Sequence, residues 1–134
     1  MLQLRLEEPY DQVFVGLRLE NPLTGESTIV DAKIDTGAVV TTVPKEYVED
    51  FGLEIMEQRT LRMANGMPVP AYVCLCDVSL VDDEVVQLPI HVVESSAGYA
   101  LVGMDFLQLC DYAQWHEKVN GKTVLNFKVE LYEE

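Results

Sequence analysis

The chain has few basic residues and few cysteines, and each shortage excludes a class of protein. Nine lysines and arginines stand against 23 acidic residues, which gives a formal net charge of −14 at pH 7. A field of that sign repels phosphate backbones and anionic lipid surfaces, so neither nucleic acid nor a membrane is expected as a partner. Three cysteines are an odd number, and without a secretory context we expect them to be reduced.

Long hydrophobic runs are missing as well. No apolar run approaches the length of a membrane span. The first ten residues, MLQLRLEEPY, carry Arg5, Glu7 and Glu8 where a signal peptide would have its apolar core. The sequence therefore predicts a cytoplasmic protein. No linker or low-complexity segment interrupts the 134 residues, which predicts a single domain over residues 1–134 with one packed core.

Alternating apolar residues predict that most of the chain forms β-strands. NPLTGES should reverse the chain between two such strands, and the Asn-Gly pairs at 65–66 and 120–121 predict hairpins. A further hairpin is expected at VDDE, residues 81–84. The segments VFVGLRL and TIVDAKID have the period of two that half-buried strands show, which predicts these core-facing residues: Val13, Val15, Leu17, Leu19, Val30, Ala32 and Ile34.

Two short helices are predicted between the strands. In VPKEYVEDFGLE, Pro44 suits a first helical turn and Gly52 can supply a left-handed stop. The segment MDFLQLCDY, which contains Cys110, should form the second helix. The expected fold class is therefore all-β, with one or two short helices.

The stretch AKIDTGAVVTTVP places an ionisable residue, Asp35, at the end of an apolar strand. Burying a lone carboxylate costs several kcal/mol, so Asp35 is either solvated in a turn, where it caps a backbone amide, or held for chemistry. The context favours a chemical role for Asp35, because the small side chain of Ala38 keeps the turn narrow and an apolar strand resumes directly after it. A weak echo of the pattern, an apolar strand, a glycine and a helix, recurs in ALVGMD.

The order of these motifs resembles the retropepsin-like aspartic proteases, the family that includes retroviral proteases. The resemblance runs from about Val13 to Phe127, and its specific motifs are DTGA at 35–38 and LVGMDFL at 101–107. It implies a retropepsin-like closed barrel with a flap hairpin, a homodimer, and neither metal nor other cofactor. The implied site residues are Asp35 as the catalytic residue, Thr36, Gly37 and Ala38 as support of its loop, Ala64, Asn65, Gly66 and Met67 at the flap tip, and Leu101, Val102 and Gly103 as the structural second motif.

The chemistry of amide hydrolysis asks for the same arrangement. Without a metal or a covalent intermediate, one carboxylate must take a proton from water while another acid protonates or polarises the carbonyl. A chain with a single Asp-Thr-Gly motif can supply both groups only as a two-fold dimer. The two Asp35 carboxyls should share one proton, as is general in aspartic proteases, which predicts an acidic to mildly acidic optimum. The predicted function is thus a homodimeric aspartic endopeptidase that acts on peptide or protein substrates.

Two departures from the retroviral pattern concern the cleft and the dimer contacts. Val39 and Val40 stand where retroviral members carry two acids that hold the substrate backbone, which predicts a more apolar cleft. Met104 and Asp105 follow the second-motif glycine where those members have an arginine, so the dimer contacts are expected to differ. Asp105 should complement the dipole of its helix rather than act in catalysis.

Two other functions stay open at this point. The same barrel could bind an extended peptide or mediate assembly without catalysis. A thiol enzyme using Cys74 or Cys76 with His91 is the other alternative, although no sequence feature fixes a Cys–His geometry. Otherwise His91 and His116 are expected to have core or surface roles, since no third ligand or nucleophile accompanies them.

Overall fold

The structure is a computed structural model of the chain, and it describes residues 2–7, 12–63, 65–80, 85–94 and 97–132. Within these ranges the chain forms ten strands, one 3-10 turn and one short helix. The elements are β1 (Leu2–Glu7), β2 (Phe14–Glu20), β3 (Ser27–Ile34), β4 (Thr42–Pro44), the 3-10 turn (Lys45–Tyr47), β5 (Ile55–Arg62), β6 (Pro68–Leu80), β7 (Val86–Val93), β8 (Ala100–Val102), α1 (Met104–Leu107), β9 (Cys110–Val119) and β10 (Lys122–Leu131).

Six strands close into a barrel in the order β2-β3-β8-β4-β7-β6, because β6 also pairs with β2. Two of the pairings, β3 with β8 and β4 with β7, are parallel. β5 pairs with β6 and lies at the end of the sheet order, so the β5–β6 hairpin extends beyond the closed barrel. The predicted all-β closed barrel with a hairpin is therefore confirmed.

Alternating side chains of the strands fill the barrel. All of the core-facing residues predicted in β2 and β3, with Val13 just before β2, are at most 8% exposed, which confirms the period-of-two interpretation. Phe106 of α1 and Phe127 of β10 are fully buried in the same cluster. Helix α1 and a second sheet of three strands, which contains β10, therefore contribute to the same hydrophobic core as the barrel strands.

That second sheet has the order β1-β10-β9 and is antiparallel throughout. The turn between β9 and β10 has Asn120 at φ +52° and Gly121 at φ +81°, the left-handed pair that an Asn-Gly hairpin turn requires. The Asn65-Gly66 hairpin is present as well, with Gly66 at φ +83° between β5 and β6. Both Asn-Gly predictions are confirmed. Residues 81–84, the third predicted hairpin, lie outside the described residues, although the flanking strands β6 and β7 pair antiparallel.

The second of the two predicted helices is present but shorter than predicted, and the first is not an α-helix. The first is a single 3-10 turn, and Pro44 is the last residue of β4, with the extended backbone angles φ −58° and ψ 135°. The pairing of β4 with β7 holds this residue in the sheet. The second helix ends at Leu107, and Cys110 begins β9, opposite Leu131 of β10. In both places a long-range strand pairing overrides local helix signals.

The cysteines are reduced and all three are buried. No helix in the described part of the chain has the length and apolar character needed to cross a membrane.

Candidate active site

Asp35 lies directly after β3, where the parallel pairing with β8 ends. Its N–H donates to the carbonyl oxygen of Val102 at 3.0 Å, which extends the β3–β8 pairing by one bond. The N–H of Ala38 donates to the carbonyl oxygen of Asp35 at 3.1 Å and closes a tight turn. The two segments that the sequence pairs as an echo, KIDTGA and ALVGMD, are therefore neighbours at this point.

The turn orients the carboxylate of Asp35. The N–H of Gly37 donates to Asp35 Oδ1 at 2.9 Å, so the backbone two residues on holds the side chain. A Cβ atom at Gly37 would lie only 3.2 Å from the same oxygen. A glycine at this position thus lets the backbone approach the carboxylate closely.

Gly103 permits a second close approach, between the Asp35 loop and the start of α1. Met104 N–H donates to Ala38 O at 2.8 Å, and Asp105 N–H donates to Val39 O at 3.1 Å. A Cβ atom at Gly103 would lie 2.5 Å from the carbonyl oxygen of Val40, well inside contact distance. The second motif therefore supports the loop through its backbone.

Asp105 ties the same two segments together through its side chain. Thr41 donates to this carboxylate twice, from N–H to Oδ2 at 2.9 Å and from Oγ1 to Oδ1 at 2.7 Å. Thr41 Oγ1 in turn accepts the N–H of Gly103 at 3.2 Å, and Phe106 N–H donates to Asp105 Oδ1 at 2.8 Å. Asp105 does lie in the first turn of α1, as expected, but its contacts give it a structural role that the sequence analysis missed. Thr41, fully buried, was not singled out at all.

A cavity of about 450 Å³ opens beside this loop and reaches under the β5–β6 hairpin. Val39 and Val40 both line it, so its wall next to Asp35 is largely apolar. Its remaining lining comes from the barrel wall and from the hairpin arm: Asp35, Gly37, Ala38, Thr42, Leu101, Thr60, Leu61, Arg62 and Met63. Four of these, residues 60–63, were not predicted as site residues, because β5 has no alternation that would mark an inward face.

The hairpin tip is held by its own backbone. Met63 N–H donates to Met67 O at 3.0 Å, and Gly66 N–H donates to Met63 O at 2.8 Å. Asn65 Oδ1 accepts the N–H of Met67, and Arg62 Nη1 donates to Gly66 O, both at 3.0 Å. Ala64 lies outside the described residues. The other three predicted flap residues thus form the tip of the hairpin that borders the cavity.

A family model described as "gag-polyprotein putative aspartyl protease" matches residues 24–109. This range contains the Asp35 loop, the segment at Gly103 and the β5–β6 hairpin. The chain belongs to this retropepsin-like family. No curated protein matches the sequence.

Solved structures share the retropepsin-like fold with this chain. A retropepsin-like aspartic protease from Rickettsia conorii is 17% identical, with a TM-score of 0.55 over 92% of this chain and 90% of that chain. EIAV protease, complexed with the inhibitor HBY-793, is 12% identical, with a TM-score of 0.57 over 75% of this chain and 89% of that one. The retroviral protease-like domain of Ddi1 from Leishmania major is 15% identical, with a TM-score of 0.53 over 92% and 96%. At these identities the likeness shows the fold alone.

A second cavity of this retropepsin-like chain, of about 350 Å³, lies on the other side of Asp35. Thr36 lines it together with Tyr112, Gln114 and His116 of β9. Asp35 borders both cavities and is itself only partly buried. Of the second motif, Leu101 lines the first cavity, whereas Val102 and Gly103 are buried behind the loop.

The groups needed for a thiol enzyme do not meet. His91 lies opposite Val73 in the β6–β7 pairing, and Cys74 lies opposite Ile90, so the thiol and the imidazole project from opposite faces of the sheet. Burial raises the pKa of Cys74 and raises that of Cys76 to about 11, which keeps both thiols protonated near neutral pH. Among the residues described, no cluster of three or more His, Cys, Asp or Glu side chains could hold a metal ion.

Proposed function

We propose that this protein is a homodimeric aspartic endopeptidase with one active site per dimer, to which each subunit contributes Asp35. The observation that carries the proposal is the position of Asp35. Its carboxylate is held by Gly37 N–H at the edge of a cavity that runs beneath a hairpin. The chain's membership of the retropepsin-like family supports the same role.

The proposed reaction uses two copies of one carboxyl group. The ionised Asp35 takes a proton from a water molecule, whose oxygen attacks the carbonyl carbon of the scissile bond. Asp35 of the partner subunit, which carries the shared proton, gives it to the carbonyl oxygen. When the tetrahedral intermediate collapses, the carbon–nitrogen bond breaks and the protonated Asp35 gives its proton to the leaving amine. The carboxylate of the partner subunit takes the proton of one hydroxyl as that oxygen forms the new carbonyl, so the dyad again holds one proton. Two like charges at close range do not both ionise, so the pair starts the reaction with one proton.

The cavity suits an extended, mainly apolar peptide. Val39 and Val40 offer apolar contacts beside Asp35, and β5 ends the sheet order, so one of its edges can pair with a substrate backbone. The charge of −14 opposes nucleic acid and anionic membranes as partners. We further propose a single domain over residues 1–134, because β1 and β10 join the two ends of the chain, and a cytoplasmic site of action, because the cysteines are reduced.

The test compares wild type with Asp35→Asn. Both proteins are incubated with a denatured protein mixture between pH 4 and pH 8, and the new peptide termini are mapped by mass spectrometry. Wild type should cleave, with its highest rate at acidic to mildly acidic pH, and Asp35→Asn should be at least about a thousandfold slower. Asp31→Asn is the matched control, since Asp31 is exposed on the same strand, and it should keep the wild-type rate.

Two results would contradict the proposal. Cleavage by Asp35→Asn at the wild-type rate would exclude Asp35 as the catalytic residue. A folded, dimeric wild type that cleaves nothing at any pH, while wild type and Asp35→Asn bind peptides equally well, would favour the alternative function of a non-catalytic peptide-binding or assembly module.

A further inference from the structure

The second cavity beside Asp35, of about 350 Å³, takes no part in the function proposed above. Its lining is largely polar, whereas the cavity beneath the β5–β6 hairpin is largely apolar. Among the described residues, its lining holds one lysine, Lys33, and no carboxylate except that of Asp35. Acidic residues outnumber basic ones by 23 to 9 in the whole chain, so this cavity has a charge balance unlike that of its surroundings.

The end of β3 places Lys33 close to the carboxylate of Asp35. β3 ends at Ile34, and the N–H of Asp35 continues its pairing with β8, so the backbone is extended from Lys33 to Asp35. Alternate residues of an extended chain share a face, and Ile34 between them is buried in the core. Two residues of a strand span about 6.6 Å. A glutamate side chain next to a scissile bond at Asp35 can therefore reach the Lys33 ammonium group.

The positive charge of Lys33 is not neutralised by its own neighbours. Within the described ranges, Lys33 takes part in no ion pair, and the residues opposite it on β2 and β8 are the apolar Phe14 and Leu101. Asp31 precedes it on the same face but is exposed and does not line the cavity. In the proposed dimer the two Asp35 carboxyls share one proton, so they carry one negative charge against two Lys33 ammonium groups. A net positive charge is left for an anionic group of the substrate.

Strand β9 supplies further hydrogen-bond donors from the opposite wall. Tyr112, Gln114 and His116 alternate along β9 and all line the cavity from one face of the strand. The hydroxyl of Tyr112 donates to Gln114 Oε1 at 2.9 Å. This bond engages the acceptor of the Gln114 amide and leaves its N–H donors for a ligand. Because a lysine ammonium group has three N–H donors and no acceptor, both walls of the cavity offer donors.

We propose that this cavity is a substrate subsite for a carboxylate, in which Lys33 is the specificity-determining residue that selects an Asp or Glu side chain near the scissile bond. This inference rests on the proposed protease function. An ionised carboxylate only accepts hydrogen bonds, so it matches a cavity wall made of donors, and bonds between charged partners are the stronger ones. A glutamine side chain of the same shape would direct N–H groups of its own at those donors.

The proposal calls for one acidic residue in an otherwise apolar peptide. The net charge of −14 opposes a strongly acidic segment at long range. Salt screens that field beyond about 8 Å at physiological ionic strength, and Lys33 would act within this distance. The apolar walls formed by Val39 and Val40 still favour apolar residues in the other cavity.

The experiment measures kcat/KM for a series of peptides built on one apolar sequence that wild type cleaves. Each position flanking the scissile bond is replaced in turn by Glu, Gln or Leu. The peptides are acetylated and amidated, and the assay runs at about pH 6, so that an ionised side chain carries the only carboxylate. At one subsite, wild type should prefer Glu over Gln by about tenfold, the size of one charge-assisted hydrogen bond.

Lys33→Met keeps the length of the side chain and removes its charge. This variant should cleave the Glu and Gln peptides at equal rates, and its profile at the other subsites should be unchanged. Lys128→Met is the matched control, because Lys128 is half-buried like Lys33 but lines neither cavity, and it should keep the preference for Glu.

Two charged variants keep the proposal testable if Lys33→Met does not fold. Lys33→Arg retains the positive charge and should retain the preference for Glu. Lys33→Glu reverses the charge and should prefer a peptide with Lys at the same subsite. A Lys33→Glu protein with the subsite profile of wild type would overturn the assignment.

The remaining outcomes separate this proposal from the protease function. Equal cleavage of Glu and Gln peptides by wild type at every position overturns the subsite and leaves the protease function intact. A Lys33→Met protein that cleaves all peptides more slowly by one common factor, or that fails to dimerise but keeps the profile, also overturns it. Wild type that cleaves no peptide, yet binds the Glu peptide more tightly than the Gln peptide through Lys33, contradicts the protease function alone. Wild type that neither cleaves nor binds any peptide contradicts both.

Discussion

Replacing Asp105 by alanine should destabilise the protein strongly, although Asp105 is outside the catalytic pair proposed above. The carboxylate accepts three hydrogen bonds, two from Thr41 and one from Phe106 N–H. Thr41 is fully buried, so its N–H and hydroxyl cannot turn to bulk water once the carboxylate is removed. Each buried donor left unpaired costs about 1–3 kcal/mol, and such losses within one network are not additive. We expect a total loss of about 3 kcal/mol.

The assay is thermal and urea unfolding of wild type, Asp105→Ala, Asp105→Asn and a control. A loss of about 3 kcal/mol should lower Tm by roughly 10 °C in a domain of this size. Asp105→Asn keeps one acceptor oxygen and should lose about half as much free energy. Asp111→Ala removes an exposed carboxylate and should change the free energy of unfolding by less than about 0.5 kcal/mol. An Asp105→Ala protein as stable as the Asp111→Ala control would refute the reasoning.

Two further predictions concern the dimer and the thiols. Mixing wild type with equal amounts of Asp35→Asn and allowing subunits to exchange should leave only about a quarter of the dimers fully wild type. The activity should then fall to about a quarter of that of the same total amount of wild type, whereas an active site within one subunit would leave about half. Burial raises the pKa of Cys76 from its ordinary value of 9.0 to about 11. Between these two pH values the thiol is mostly protonated in the folded protein and mostly ionised in the unfolded chain. Stability should therefore fall as pH rises from about 9 towards 11, and Cys76→Ala should remove that part of the decline. Rapid alkylation of the native protein at pH 7.5, with loss of activity, would contradict the assignment of these thiols to the core.

Strands with one buried face could be predicted because their signal is local. Val15, Leu17 and Leu19 alternate with exposed or half-buried neighbours, and that alternation survives in the folded barrel. The same signal is present in β1, where Leu2, Leu4 and Leu6 are half-buried and the residues between them are exposed. β1 is not among the predicted strands, although the same alternation marks it.

The extents of the helices and the hydrogen bonds between Thr41 and Asp105 could not be predicted, because contacts between distant segments decide them. The sequence around Pro44 and around Cys110 favours a helix. In the structure, however, Pro44 pairs with β7 and Cys110 pairs with β10, so both residues lie in strands. The sequence around Thr41 is that of an ordinary strand, and its hydrogen-bond partner Asp105 lies 64 residues further along the chain. The two glycine-containing motifs could be recognised in the sequence, because only glycine fits where two backbone segments approach closely. The contact that requires Gly103, with the backbone of Val40, is visible only in the structure.

The crossing of the Asp35 loop with the segment at Gly103 also bears on biosynthesis. The backbone bonds from Met104 and Asp105 to Ala38 and Val39 join parts of the chain that leave the ribosome far apart in time. Non-local contacts of this kind form late, because the entropic cost of closing the intervening loop must be overcome first. A nascent chain that ends before residue 103 carries the complete DTGA motif but lacks the segment that positions it. The growing polypeptide is therefore without its finished loop until most of it has been translated.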